Sequence, residues 1–126
     1  MMAKILVVDD SGMSCRALRK ILESTGHQVI EAQDGISALE SYFIDKPDLV
    51  LLDLTMSGMY GGDVLTKLRE MDPHAQVIIA SADIQSSTRE MVETGGAQAF
   101  INKPFTAEQV LSAVSAVLQE AGNGTD

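Results

Sequence analysis

The stretch Asp48-Leu49-Val50-Leu51-Leu52-Asp53 limits what this chain can fold into more than any other. Its four uninterrupted apolar residues suit a strand covered on both faces, because a half-exposed strand alternates polar and apolar side chains. In an open parallel sheet, ligands bind outside the carboxyl ends of the strands, which is where Asp53 falls. Taken alone, that acid fits a metal ligand, a base or a strand-ending cap.

The rest of the chain repeats the theme. Lys4 to Val8 is a second apolar run and ends on Asp9-Asp10. Ser11 is placed to cap a helix with an apolar stripe of Ala17, Leu18, Ile21 and Leu22, stopping near Gly26. Gln28 to Ala32 reads as a short strand. Asp34 caps a second helix carrying Ile36, Leu39, Tyr42 and Phe43, which ends before Pro47 because the residue preceding proline leaves helical geometry. A Gly- and Met-rich loop at 54–62 leads to a third helix with Val64, Leu65 and Leu68. Gln76 to Ala80 is a fourth strand, ending at Ser81. Residues 84–94 form a thinly apolar fourth helix closed by Gly95-Gly96, and Ala99 to Ile101 is the fifth strand. After Lys103-Pro104-Phe105, Thr106 and Gln109 fit a capping box for a last helix whose buried face is Val110, Leu111, Val114, Val117 and Leu118. The expected division is a domain at 1–121 and a flexible tail at 122–126.

Five strands alternating with five helices over short connections imply an α/β fold, with a parallel sheet covered by helices on both faces. Right-handed crossovers bring every strand end to one edge. Asp9, Asp10, Asp53, Ser81 and Lys103 then meet there.

A chain of 126 residues, 45% apolar and 21% charged, is sized for one ordinary globular core. No apolar run nears the ~20 residues of a membrane span and no basic leader precedes the first strand, so a cytoplasmic location is expected. The net charge of −9 argues against nucleic acid and anionic membranes as partners. Cys15, the single cysteine, is read as packing, and His27 and His74 as exposed connecting residues.

Three clustered carboxylates are costly, since two like charges 4 Å apart repel by about 4 kcal/mol at an effective dielectric of 20. A hard divalent cation removes that cost, and magnesium suits a few carboxylates, a carbonyl, waters and a phosphoryl oxygen. Asp53 then becomes a nucleophile toward phosphorus, with Lys103 neutralising phosphoryl oxygens and the Ser81 hydroxyl donating to one of them. Capping, strand-ending and surface roles explain each residue singly. They do not explain why all five fall at the ends of four strands.

These residues carry a resemblance over essentially the whole chain. Ile5-Leu6-Val7-Val8-Asp9-Asp10-Ser11, Leu51-Leu52-Asp53-Leu54 followed by Met56 and Gly61, Ala80-Ser81-Ala82 and Lys103-Pro104-Phe105 resemble the response-regulator receiver domain of two-component signalling, in its stand-alone, chemotaxis-regulator-like form. The resemblance implies a flavodoxin-like, doubly wound sheet of order 2-1-3-4-5 with five helices. It also implies that Asp53 accepts a phosphoryl group from a histidine kinase or phosphotransfer protein. Mg2+ (or Mn2+) is then held by Asp9, Asp10, Asp53 and the backbone carbonyl of Thr55. Ser81 and Phe100 are the implied switch residues, and Thr55 and Asp83 flank the path of the water that removes the phosphoryl group. The downstream target is read through the fourth helix, fifth strand and fifth helix, by a monomer or a phosphorylation-dependent dimer, and the Lys103-Pro104 bond is cis. Such a protein is a switch with slow self-chemistry, not an enzyme. The competing classes are an aspartyl-phosphate hydrolase, which lacks the second acid of Asp-x-Asp at Asp53-Leu54-Thr55, and a degenerate receiver acting as a scaffold. Two positions depart from the family: Ser57 follows Met56 where many members have proline, and Phe100 lacks the hydroxyl of the tyrosine found in some.

Overall fold

Strands that are apolar throughout still alternate their side chains, and that alternation sorts the core into two layers. The computed structural model describes residues 2–53, 61–81 and 97–123. In chain order these form β1 (Lys4–Val8), α1 (Gly12–Glu23), β2 (Gln28–Ala32), α2 (Gly35–Asp45), β3 (Leu49–Leu52), α3 (Gly61–Met71), β4 (Val77–Ser81), β5 (Ala99–Asn102) and α4 (Ala107–Asn123). The strands make one parallel sheet ordered β2-β1-β3-β4-β5, as the resemblance implies. The helix expected at 84–94 lies outside the described residues.

β3 is buried at all four positions. Leu49 and Leu51 join Ile5, Val7, Ile78 and Ala80 on one face, under Cys15, Leu18 and Leu22 of α1 and Val110, Val114 and Val117 of α4. Val50 and Leu52 join Leu6, Val8, Val77 and Ile79 on the other, under Ala38 and Tyr42 of α2 and Val64, Leu65 and Leu68 of α3. Each fully buried Leu or Ile contributes roughly 1.5–3 kcal/mol. The sheet is therefore a stiff mount.

Local signals set the helix ends. The Ser11 hydroxyl accepts from the Ser14 N–H at 3.3 Å, and the Asp34 carboxylate accepts from the Ser37 N–H at 2.8 Å. Thr106 and Gln109 exchange the two bonds of a capping box, at 3.0 and 3.1 Å. Gly26, at φ 90°, turns the chain after α1, and Lys46 takes a left-handed conformation at φ 47° before Pro47.

Three expectations are corrected. Ala17 is exposed, and Cys15 takes its place on the buried stripe of α1. In α2 the inward residues are Gly35, Ala38 and Tyr42, while Ile36 and Phe43 face outward. Leu39 and Tyr42 pack inward as expected, and Ala38, one turn before Tyr42, centres that side of the helix, which leaves Ile36 and Phe43 roughly 140–160° away from it. His27 is buried, because its Nδ1 accepts the Ala3 N–H at 3.1 Å and so occupies the start of the β1–β2 pair. His74 is exposed, as expected.

Candidate functional site

Parallel register carries the strand ends to one level. Val8 pairs with Leu52, Leu52 with Ile79, and Ile79 with Phe100, so one row of residues crosses four strands just below the sheet edge. Asp9 and Asp53 stand one residue beyond that row. The Asp53 N–H donates to the Val8 carbonyl at 2.9 Å and the Asp9 N–H to the Ala32 carbonyl at 3.1 Å, which holds both backbones in the ladder. Ser81 pairs with Asn102, and the next residue, Lys103, donates its N–H to the Ser81 carbonyl at 3.0 Å.

The side chains converge. Asp9 is 2% exposed and Asp53 4% exposed, Asp10 is exposed, and one carboxylate oxygen from each lies within 4.8 Å of the others. The Lys103 Nζ donates to Asp9 Oδ2 at 2.5 Å and stands 3.6 Å from Asp53 Oδ2. Ser81 is fully buried at the end of β4. Phe100 on β5 is half-buried and packs against the layer under α2 and α3. The Lys103-Pro104 peptide bond is cis. Thr55, Met56 and Asp83 lie outside the described residues.

With the three acids ionised and Lys103 protonated, the cluster carries a formal charge of −2 (−3 plus +1), matching one divalent cation. Its donors are all hard oxygens, the set that magnesium prefers. The residues present therefore fit such an ion.

Two contacts escape a reading by residue type. The Ser11 N–H donates to Asp9 Oδ1 at 2.9 Å, so Ser11 orients the acid as well as capping α1. The only sequence signal is the Asp-x-Ser spacing, which is common in ordinary turns. The Cys15 thiol donates to the Asp9 carbonyl at 3.3 Å. Burial, reinforced by the nearby Glu31 and Asp9 charges, pushes that thiol up to about 11, so it stays protonated and serves as packing.

A sheet of this order, with acids from two strands and a lysine from a third at one edge, defines a receiver-type α/β domain. The chain belongs to the response regulator receiver domain family, whose sequence model matches residues 5–115. The chemotaxis protein CheY of Bacillus subtilis is 38% identical over 116 residues, covering 91% of this chain and 97% of that protein. The CheX–CheY–BeF3–Mg2+ complex from Borrelia burgdorferi contains a chain 35% identical, with a TM-score of 0.86 over 90% of this chain and 87% of that one. A CheY-like receiver domain from Methanospirillum hungatei, 24% identical, superposes with a TM-score of 0.94 over 98% and 99% of the two chains, which speaks for the fold. Members of the family are signalling switches that are phosphorylated on an aspartate and bind Mg2+ through an acidic pocket. No helix among the described residues is long and apolar enough to cross a membrane.

Proposed function

We propose that this chain is a Mg2+-dependent phosphoacceptor receiver domain whose phosphorylation on Asp53 switches protein–protein contacts in the cytoplasm. The observation that carries the reading is the meeting of Asp9, Asp10 and Asp53 within 4.8 Å, with the Lys103 ammonium against two of them. An Asp53 carboxylate oxygen attacks the phosphorus of a phosphohistidine on a histidine kinase or phosphotransfer protein. The P–N bond breaks, and the imidazole leaves with the electron pair and takes up a proton. Asp9, Asp10, Asp53 and the Thr55 carbonyl would hold the ion, which would supply positive charge against the negative charge of the phosphoryl oxygens. Lys103 pairs with one phosphoryl oxygen, and the Ser81 hydroxyl donates to another.

Transfer of Lys103 and Ser81 toward the phosphoryl group is the event that the rest of the domain reads. Phe100, one row below the site, turns inward as Ser81 shifts. The surface of residues 84–94, β5 and α4 then changes its affinity for a target protein or for a second phosphorylated copy. Thr55 and Asp83 set the phosphoryl lifetime. An unchanged lifetime in Asp83→Ala reduces Asp83 to a helix cap.

The test is intact-mass measurement after incubation with magnesium and acetyl phosphate, for wild type and Asp53→Asn. One phosphoryl adduct, absent from Asp53→Asn and absent without magnesium, is expected. Continuous consumption of the donor favours an aspartyl-phosphate hydrolase, and no adduct on wild type favours a scaffold.

A further inference from the structure

The outward face of α2 is apolar where a covering helix is ordinarily polar. Ile36 is 62% exposed, Phe43 73% and Ile44 72%. At about 100° per residue, Ile36, Glu40, Phe43 and Ile44 share one side of the helix. Met71, 43% exposed at the end of α3, extends the patch. Phe43 and Met71 line a cavity of about 600 Å³ with Tyr42, Lys46, Pro47 and Asp72. Pro47 precedes β3 and Asp72 precedes β4, so this cavity opens at the sheet edge opposite Asp53.

We propose that this face docks an amphipathic helix of a partner protein, with apolar residues seated on Phe43, Ile44 and Met71 and basic residues beside Glu40 and Asp72. Charge selects that occupant. Each copy carries −9, and two copies meeting patch to patch would bring Glu40 and Asp72 against their own like charges, which opposes self-association. A single helix reading i, i+3, i+4 and i+7 needs no more than one such stripe. Glu40 lies within the stripe, and Asp72, hydrogen-bonded by Tyr42 at 2.7 Å, lines the cavity, so basic flanks find acids at both places. Lys46, the cation among the cavity-lining residues, suits the carbonyl end of the docked helix. This surface is independent of the phosphorylation chemistry.

The probe is a synthetic leucine–lysine peptide with leucines at i, i+3, i+4 and i+7, and a scrambled peptide of the same composition is the control. Titrated into the 15N-labelled full chain, the patterned peptide is expected to shift amides at 36–46 and 71–72. Its affinity is expected to fall about tenfold in F43S/I44S, and also in E40K, which keeps the apolar patch. Both variants are expected to melt as wild type does, because the replaced side chains are exposed. Shifts centred elsewhere, equal binding of the scrambled peptide, or undiminished binding in both variants overturns the proposal. A wild-type dimer in sedimentation that F43S/I44S dissolves assigns the face to a second copy and equally overturns it.

Discussion

The two edges of the sheet solve opposite problems. At the N-terminal edge, polar groups meet complementary partners. The His27 Nδ1 takes the Ala3 N–H, Tyr42 donates to Asp72 at 2.7 Å, and Gln98 Oε1 takes the Val77 N–H at 2.7 Å. At the C-terminal edge, three carboxylates gather and one ammonium meets two of them, Asp9 and Asp53, both almost wholly buried. The first edge is arranged for stability. The second retains unbalanced charge that a cation and a phosphoryl group can answer, a local conflict of the kind found at functional sites.

The comparison breaks most visibly at Lys103. Lys103→Met leaves Asp9 buried without its cation, and a loss of about 3–5 kcal/mol in urea unfolding is expected without divalent ions. Millimolar magnesium should restore part of it, because an ion bound only by the folded state stabilises that state. A loss that magnesium leaves untouched would place Lys103 among purely structural residues.

At the other edge, Tyr42→Phe removes one charge-assisted bond and is expected to cost about 1.5 kcal/mol at neutral pH, with no response to magnesium. That bond, with help from the His74 N–H, holds the Asp72 carboxyl below its usual range. Its contribution is therefore complete above the unfolded carboxylate pKa and disappears as pH falls through the lower folded value. Denaturation curves from pH 7 to 2 should lose less stability in Tyr42→Phe than in wild type.

Thr106→Ala sharpens the contrast by weakening α4 without touching a charge. The capping box is worth about 1 kcal/mol, so melting should shift modestly and equally with or without magnesium.

The smallest effect concerns His27. Burial, with a contribution from the chain's amino terminus, lowers its pKa from 6.5. The unfolded chain then binds the proton more readily, so stability is complete above about pH 6.5 and declines as pH falls toward the folded value. His27→Gln, which keeps an acceptor for the Ala3 N–H, should flatten that slope in urea titrations between pH 7 and 5.

Much of this was legible because its causes are local. The unbroken apolarity of Leu49 to Leu52 announced burial on both faces, and Ser11, Asp34 and Thr106 announced three helix starts through side-chain to backbone bonds spanning three residues. Asp9, Asp10, Asp53, Ser81 and Lys103 were legible as strand-end residues, and one parallel sheet sufficed to bring them to one edge. On α2, Leu39 and Tyr42 are legible as inward residues, but Ile36 and Phe43 are equally apolar and face solvent. Only packing, which seats Ala38 against the sheet one turn before Tyr42, decides which side of the helix turns in. His27 was misread because a histidine after a glycine turn looks exposed until Ala3 arrives from the neighbouring strand.

By itself, then, the sequence determined the alternation of elements, the strand ends that carry charge and the ends of the helices, since periodicity and capping act within a few residues. Only the tertiary structure decided that Lys103 takes Asp9 at 2.5 Å and stands 3.6 Å from Asp53, and that Ser11 orients Asp9. The same holds for the apolar side of α2 that is left to solvent. Those outcomes depend on distances between elements far apart in the chain, which packing sets.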